Sequence, residues 1–549
     1  RARIYYEANR YEEASVIFKD IAYHHKDSDL AEYAANLYLD SLNVLASMRK
    51  DDVRPQCYDQ MATNVPEIHD LYCATPEARG EHDGLCGPLE QLRCDIQRKK
   101  AEAHQAKKEF RDAAYTYVNL FRKFPNCGKA DEVLYNAALN FEAAKLIGRA
   151  IKVRGVLIDK LPDSPLAKKS LYLTGANFQA LALYNKAAEY YETFATKFPG
   201  EDGKSCTEQD VTNGTCPKAA EALQDAVFFR LGIGDDQKAV DDAKLYEKNF
   251  AKKYPRETSQ VIYSMASIYE RQNDWAKVAE HYQSYLKKYG RQALPNEEIR
   301  ANVQIGVAMW NLNKKADAEK FFKAATKLWQ SGAPGAIEKL ANGDADKANK
   351  WQAEASQSTA QALWYLAEYQ FAEFEKIKFP ELKGASDMAK VNAWATGPFV
   401  KWIEEKGKAL KAAEDGYGKV RELKAPMWDI AAAARVGVMY RTFVDEFRDA
   451  PVPDEIKKDP ELMDIYLGSL DEKSQPWVIK ATGAFDFCMT LATQVRWFNQ
   501  FSQQCELELN KLDPRKYPLA AELRGSPSYV QQKVADPVSA QIGRGDEEE

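Results

Sequence analysis

The chain has 549 residues, several times the length of one ordinary domain, so it is either a string of domains or an extended repeat array. Hydrophobic residues at 45% and aromatic residues at 11% exclude a largely disordered chain. A formal net charge of -6, with no dense basic stripe, argues against nucleic acid as a partner, and the longest apolar stretch, around 430–439, is far shorter than the roughly 20 residues that span a bilayer.

Arg1 lies inside a helical pattern, with neither an initiator Met nor an apolar signal core, so the true N-terminus is expected upstream. Residues 1–50 read as helices that continue a longer array. Residues 51–95 read as a looped, Cys/Pro-rich insertion, because Pro55, Pro66, Pro76 and Pro88 punctuate it and Cys57, Cys73, Cys86 and Cys94 lie close together. Disulfides are expected among these four, in a pairing that sequence leaves open, since four cysteines allow about three connectivities. Zinc is disfavoured because no close C-x-x-C pair occurs.

Residues 96–335 carry the repeat signal. Five segments close alike: LFRKFP (120–125), LIDKLP (157–162), FATKFP (194–199), FAKKYP (250–255) and YLKKYG (285–290). Twelve positions before each closing breaker stands Ala113, Ala150, Ala187, Ala243 or Val278, and four later comes a larger residue such as Tyr117, Tyr191 or Tyr282. A small side chain lets two helices approach, and the larger one fills the adjacent groove. Twelve residues further upstream a second set, Ala138, Gly175, Ala266 and Gly306, is followed three later by Phe141, Phe178, Tyr269 and Met309. Short turns such as GRA and YNKA separate the two sets, so each unit reads as an antiparallel helical hairpin that must stack on neighbours to bury its apolar face. Residues 200–217 interrupt this array with a Gly/Asn-rich loop, and Cys206 and Cys216 within it are expected to bond.

Gly175, Phe178, Tyr184, Ala187, Tyr191, Phe194 and Pro199 resemble the small, aromatic and closing-Pro positions of the tetratricopeptide repeat family. The N-terminal Tyr5, Tyr11, Ala14 and Phe18 look like the end of one such unit. Copies here run longer than the family's period, and Arg154 stands where an aromatic is expected. The aromatic-x-x-Lys-aromatic-Pro ending is also similar to tetratricopeptide proteins of the Gram-negative periplasm and outer membrane, of the BamD and YbgF types, and to scaffolds of myxobacterial gliding and adhesion machinery. The resemblance implies an all-α fold, a right-handed α–α solenoid followed by irregular helical hairpins, and a periplasmic or outer-membrane-associated location. In the family, positions three and six before the small residue of each first helix line a concave groove. Carried over, they give Tyr135 and Glu132, Tyr172 and Lys169, Phe228 and Asp225, and Tyr263 and Gln260. Glu142, Gln179, Glu270 and Trp310 extend the same faces. An aromatic row of this kind suits a peptide segment or a partner helix. The family's clamp for a free C-terminal carboxylate needs Lys and Asn where this chain has Tyr135 and Leu139, so that mode of recognition is disfavoured.

After Gly335 the spacing fades, and helices are expected at 346–378, 399–423, 427–447 and 475–512. Seven of the ten Trp fall between Trp351 and Trp497, which marks 345–515 as a Trp-rich helical domain for capping or docking. On one continuous helix Cys488 and Cys505 would stand roughly 25 Å apart, at 1.5 Å per residue, so both are expected as buried thiols or as partners of Cys127. Residues 516–549 read as an extended or disordered tail.

Catalytic signals are missing from the sequence: six His fall in no catalytic motif, and there is no phosphate-binding or dinucleotide fingerprint. The chain therefore reads as a non-enzymatic scaffold or adaptor in a bacterial cell-envelope assembly such as motility, adhesion or outer-membrane machinery, with no cofactor and no metal. Its partners are expected to be other proteins, with a membrane-associated complex as the setting. The alternatives are an architectural subunit of a large filament or machine, and the helical appendage of an enzyme with chemistry around Asp429, Glu446 or Asp486.

Overall fold

The computed structural model describes residues 1–48, 54–124, 129–384 and 386–519, the side chains of 54–58 excepted. Pro125, Cys127, the Cys57 side chain and the tail beyond Leu519 thus lie outside the described residues. Every regular element among the described residues is helical, and one isolated antiparallel bridge joins Asp202 to Lys218. The chain divides into two compact units, Arg1–Asn249 and a second beginning at Phe250.

The first unit contains α1 (Ala2–Glu7), α2 (Tyr11–His24), α3 (Ala31–Met48), α4 (Arg54–Tyr72), α5 (Pro76–Glu81), α6 (Asp83–Ala106), α7 (Phe110–Lys123), α8 (Ala130–Ala143), α9 (Ile147–Lys160), α10 (Pro165–Ala180), α11 (Tyr184–Lys197), α12 (Glu208–Thr212), α13 (Ala219–Ile233) and α14 (Asp236–Phe250). Long helices pack consecutively from α2 to α11, and α11 then packs on α13. The second unit contains α15 (Pro255–Ser264), α16 (Ala266–Arg271), α17 (Trp275–Tyr289), α18 (Pro295–Asn311), α19 (Lys315–Gln330), α20 (Ala333–Ala341), α21 (Ala345–Lys376), α22 (Met388–Trp394), α23 (Val400–Arg421), α24 (Pro426–Arg448), α25 (Asp454–Lys457), α26 (Pro460–Val495) and α27 (Gln500–Leu512).

One turn closes hairpin after hairpin. The carbonyls of Phe141, Phe178, Tyr269 and Met309, the residues three past the second small position, accept from the amides of Leu146, Leu183, Asp274 and Lys314 at 2.8–3.0 Å. Lys145, Ala182, Asn273 and Asn313, each just before the donor, have φ between 53° and 63°. These are left-handed helix ends that satisfy otherwise orphaned carbonyls and reverse the chain.

The small residues act as the spacing predicts. A Cβ on Gly175 would lie 2.7 Å from the Tyr191 ring, and one on Gly306 would lie 2.5 Å from the Phe322 ring. Ala150 and Ala187 are fully buried. The second unit repeats the device further on, where a Cβ on Gly437 would meet Phe485 at 2.4 Å.

Three expectations are corrected. Residues 51–95 are not a looped excursion: α4 and α6 run through most of the segment, with Pro66 and Pro88 inside them. Met61, Val65, Ile68, Leu85 and Leu89 are all buried there, and packing outweighs the helix-breaking cost of the prolines. The expected boundary near 335–345 is absent, because α21 packs on α18 and α19. Tyr365 stacks on Phe322 with ring centroids 4.8 Å apart, and the Tyr369 hydroxyl donates to the Lys315 carbonyl at 2.5 Å. Finally, the expected helix 475–512 breaks at Arg496 (φ 53°), and Asn499 caps α27. The chain folds back there, and Cys488 and Cys505 form a disulfide with Cα atoms 6.4 Å apart.

Cys73 bonds Cys86 and Cys206 bonds Cys216. Cys94 is also disulfide-bonded. The first of these bridges ties α4 to α6, and the second closes the loop of 200–217.

Candidate protein-binding site

In the first unit the site begins with α8, α10 and α13, the first helices of successive hairpins. α10 starts cleanly because the Ser164 side chain accepts from the Leu166 amide at 3.1 Å and Pro165 occupies the first helical position. Along each helix, residues three or four apart share a face. Glu132 is exposed on α8 and pairs with Lys129 at 3.2 Å. Tyr135, one turn on, is half-buried beneath the Arg154 guanidinium at 5.5 Å and the Lys169 ammonium at 5.6 Å. Tyr172 is buried, its ring 5.5 Å from that of Tyr191 and 5.4 Å from that of Phe194. Gln179 is exposed and accepts from the Tyr191 hydroxyl at 2.9 Å. Phe228 is 38% exposed on α13.

In the second unit Tyr263 is half-buried against Tyr282 and Tyr285, with centroids 5.7 and 5.3 Å away. Glu270 accepts from the Tyr282 hydroxyl at 2.7 Å and from Arg300 at 3.1 Å. Trp310 is half-buried at 5.2 Å from both Tyr365 and Tyr369, with the Lys315 ammonium 4.6 Å above it. The residues picked out by spacing thus do two jobs. Tyr172 and Tyr263 bind the two helices of a hairpin to each other and Trp310 binds α18 to α21, whereas Glu132, Gln179 and Phe228 face outward.

Spacing placed Glu142 on the face and marked Arg154 as a misfit, but it showed neither their pairing nor the buried Arg230. Arg154 is fully buried and donates to Glu142 at 2.8 Å, and the same carboxylate oxygen accepts from Asn177 at 2.7 Å. It replaces a ring with a planar cation that still stacks on Tyr135. Arg230 is also fully buried and binds Glu192 through two parallel bonds of 2.6 and 3.1 Å, Asp235 at 3.2 Å and the Asn185 side chain. Only this five-donor fork reaches all three partners at once.

Asp242 on α14 lies beside this node. Burial, followed by the neighbouring Glu192 carboxylate, pushes its pKa up to about 8 despite Arg230, with Asp241 adding to the rise. Lys238 pairs with Asp235 at 3.6 Å. Because the folded pKa is raised, the folded chain holds a proton that the unfolded chain releases near its ordinary value of 3.8. Stability from this group is therefore complete at low pH and falls as pH climbs through about 4 to 8. An Asp242→Asn chain should lose that part of the slope and gain on the order of 1–2 kcal/mol at pH 8. Urea unfolding at a series of pH values, with wild type and variant in parallel, measures this; equal slopes would contradict it.

In the Trp-rich region, Trp364, Trp394, Trp402 and Trp428 are buried within the α21–α24 core, whereas Trp497 is 50% exposed at the α26–α27 turn beside Phe498 at 67%. Most of the tryptophans therefore build a core and do not present a docking face. Glu446 lies 2.9 Å from the buried Lys406 ammonium, which also donates to the Ile377 carbonyl at 2.9 Å. Near the other end of α24, burial pushes the Asp429 carboxyl up to about 6, while Asp486 is exposed. His104, Glu109 and Asp112, which spacing did not single out, place their ligand atoms within 4.8 Å of one another at the α6–α7 turn. Glu109 and Asp112 are exposed there, and the His104 Nδ1 to Glu109 contact of 2.6 Å accounts for two of the three.

No helix among the described residues is long and apolar enough to cross a membrane. No protein-family model matches the chain, and no curated protein is similar to it. Among solved structures, the Rap protein complexed with competence and sporulation factor is 15% identical, covering 65% of this chain and 98% of its own, with a TM-score of 0.22. The P58(IPK) TPR domain is 10% identical, covering 76% of this chain and 97% of its own, with a TM-score of 0.19. At those scores neither superposition carries an argument, and the all-α hairpin architecture rests on the helices, turns and ring-to-small-residue contacts of this chain itself.

Proposed function

We propose that the chain is a non-enzymatic scaffold that holds other proteins against the first-helix faces of its hairpins, within an assembly of the bacterial cell envelope. The observation that carries the proposal is the division of labour on those helices. Their inward rings lock neighbours together, while Glu132, Gln179 and the 38% exposed Phe228 stay at the surface of a rigid support. Extended partners are commonly recognised by such preorganised helical surfaces. The disulfides Cys73–Cys86, Cys206–Cys216 and Cys488–Cys505 support an oxidising compartment, and the closing motifs lean towards the periplasm or outer membrane.

The test is a photo-crosslinking amino acid placed at Phe228 or, as a control on the exposed side of a second helix, at Glu189, in cells that produce the protein. A discrete protein adduct from position 228 and none from 189 is expected. Absence of any adduct at 228, or the same adducts at both positions, would overturn the assignment of the face.

A further inference from the structure

The sixth position before the small residue repeats in successive first helices, where it is held by Glu132, Lys169, Asp225, Gln260 and Arg300, and two of these are cations paired to a carboxylate. Lys169 holds this position on α10, six residues before Gly175. Its ammonium stands 5.6 Å over the Tyr135 ring of the preceding hairpin and pairs with Asp210. In the second unit Arg300 holds it on α18, six before Gly306, and donates to Glu270, whose other oxygen accepts from Tyr282. In both cases a cation of the chain meets a tyrosine of the hairpin before it and is balanced by a carboxylate.

On α13 the same position is Asp225. It lies within electrostatic reach of Tyr172 and Tyr191, the tyrosines of the preceding hairpin, so the aromatic half of the arrangement is present. The cationic half is not. Among the described residues Asp225 has no hydrogen bond or ion pair, and the only charged group that perturbs it is Glu221, one helical turn away on the same face. Burial and this like charge raise its carboxyl to about 6, the behaviour of an acid short of a counter-ion but still ionised at neutral pH. Among the described residues Glu221 pairs only with Lys218 in its own turn, at 2.6 Å. One turn beyond Asp225 on this face comes the exposed Phe228. Acid, acid and ring in that order, on one face of a well-packed helix, complement a basic side chain with an apolar stem.

We infer that the Glu221–Asp225–Phe228 face of α13 binds an Arg or Lys side chain from a partner protein segment, which supplies the cation that Lys169 and Arg300 provide elsewhere in the chain. The inference rests on the scaffold reading above and specifies the chemistry that one of its faces selects. A half-buried carboxylate forms a stronger charge-assisted bond than an exposed one, and Phe228 covers the methylene stem.

A random peptide display library selected on the immobilised full-length chain tests both layers. Wild type is expected to enrich sequences with one fixed Arg or Lys. Synthesised as labelled peptides, these should bind roughly tenfold or more weakly to Asp225→Asn and to Phe228→Ala, while Glu189→Gln binds like wild type. Replacing the selected Arg by citrulline, which keeps the shape and removes the charge, should cause a comparable loss. Circular dichroism establishes that each variant is folded, and because Asp225→Asn removes a like-charge contact it should be no less stable than wild type. Enriched peptides with no fixed basic residue, or basic peptides that bind Asp225→Asn unchanged, would overturn this inference and leave the scaffold reading standing. Failure to enrich any peptide would overturn both.

Discussion

Replacing Arg230 by Ala should destabilise the first unit by about 3–5 kcal/mol. The side chain is fully buried, and its removal strands the Glu192 carboxylate that it holds at 2.6 and 3.1 Å, together with Asp235 at 3.2 Å. Asp242 would suffer as well, because the cation that partly offsets its burial would be gone. Most of the cost comes from the charge left behind, not from the lost bonds. Arg230→Lys should therefore rescue little, since one ammonium cannot reach Glu192, Asp235 and Asn185 from the same point. The double variant Arg230→Leu/Glu192→Leu should recover much of the loss. Because two compact units need not unfold together, hydrogen exchange resolved on α11, α13 and α14 is a better readout than a single global midpoint. Exchange rates in Arg230→Ala equal to those of wild type would show that the node is dispensable.

The second large effect concerns the smallest residue. Gly306→Ala should destabilise the second unit by about 1–3 kcal/mol, although alanine is the better helix former by about 1 kcal/mol. The new methyl would sit 2.5 Å from Phe322, and that ring cannot retreat. Phe322 is fully buried and stacks on Tyr365 with an interplanar angle of 6°. Gly418→Ala in α23 is the matched control, because a Cβ there meets nothing within 4 Å and should instead stabilise. Adding Phe322→Leu to Gly306→Ala should restore part of the stability by opening the space, and a double-mutant cycle in urea measures the coupling. Additive effects would mean that the two residues do not share the contact described here.

These two sites also mark how far the sequence could be read. Gly306 and Gly175 stand out because a small residue recurs in step with a large one, and a close helix approach needs both. The turns were equally legible, since each follows the second small position at a fixed distance. By contrast, the backbone reversal at Arg496 uses neither Gly nor Pro, so the chain read as continuous helix and Cys488 and Cys505 seemed out of reach. The sign available was Asn499 with Ser502 three later, a capping pair that starts a new helix. Pro66 and Pro88 misled in the other direction, because the apolar contacts that override a proline come from helices distant in sequence.

For the candidate face, spacing placed Tyr135, Tyr172, Phe228 and Tyr263 in equivalent positions but could not say which rings remain open. Tyr172 sinks because Gly175, three residues on, draws Tyr191 against the same helix. Phe228 stays out with no such glycine beside it: Leu231 occupies the equivalent position. Exposure was thus decided by the helix packed opposite, which also sets the role of Asp225, a residue that spacing put in the groove without showing that it lacks a counter-ion.

Hydroxyl-radical footprinting of the intact chain tests the division between locked and open rings most directly. Fast oxidation of Phe228, with Tyr172, Tyr191 and Tyr282 protected until the hairpins unfold, is the predicted pattern. Rapid labelling of Tyr172 and Tyr191 in the folded chain, or protection of Phe228 in the protein alone, would contradict it.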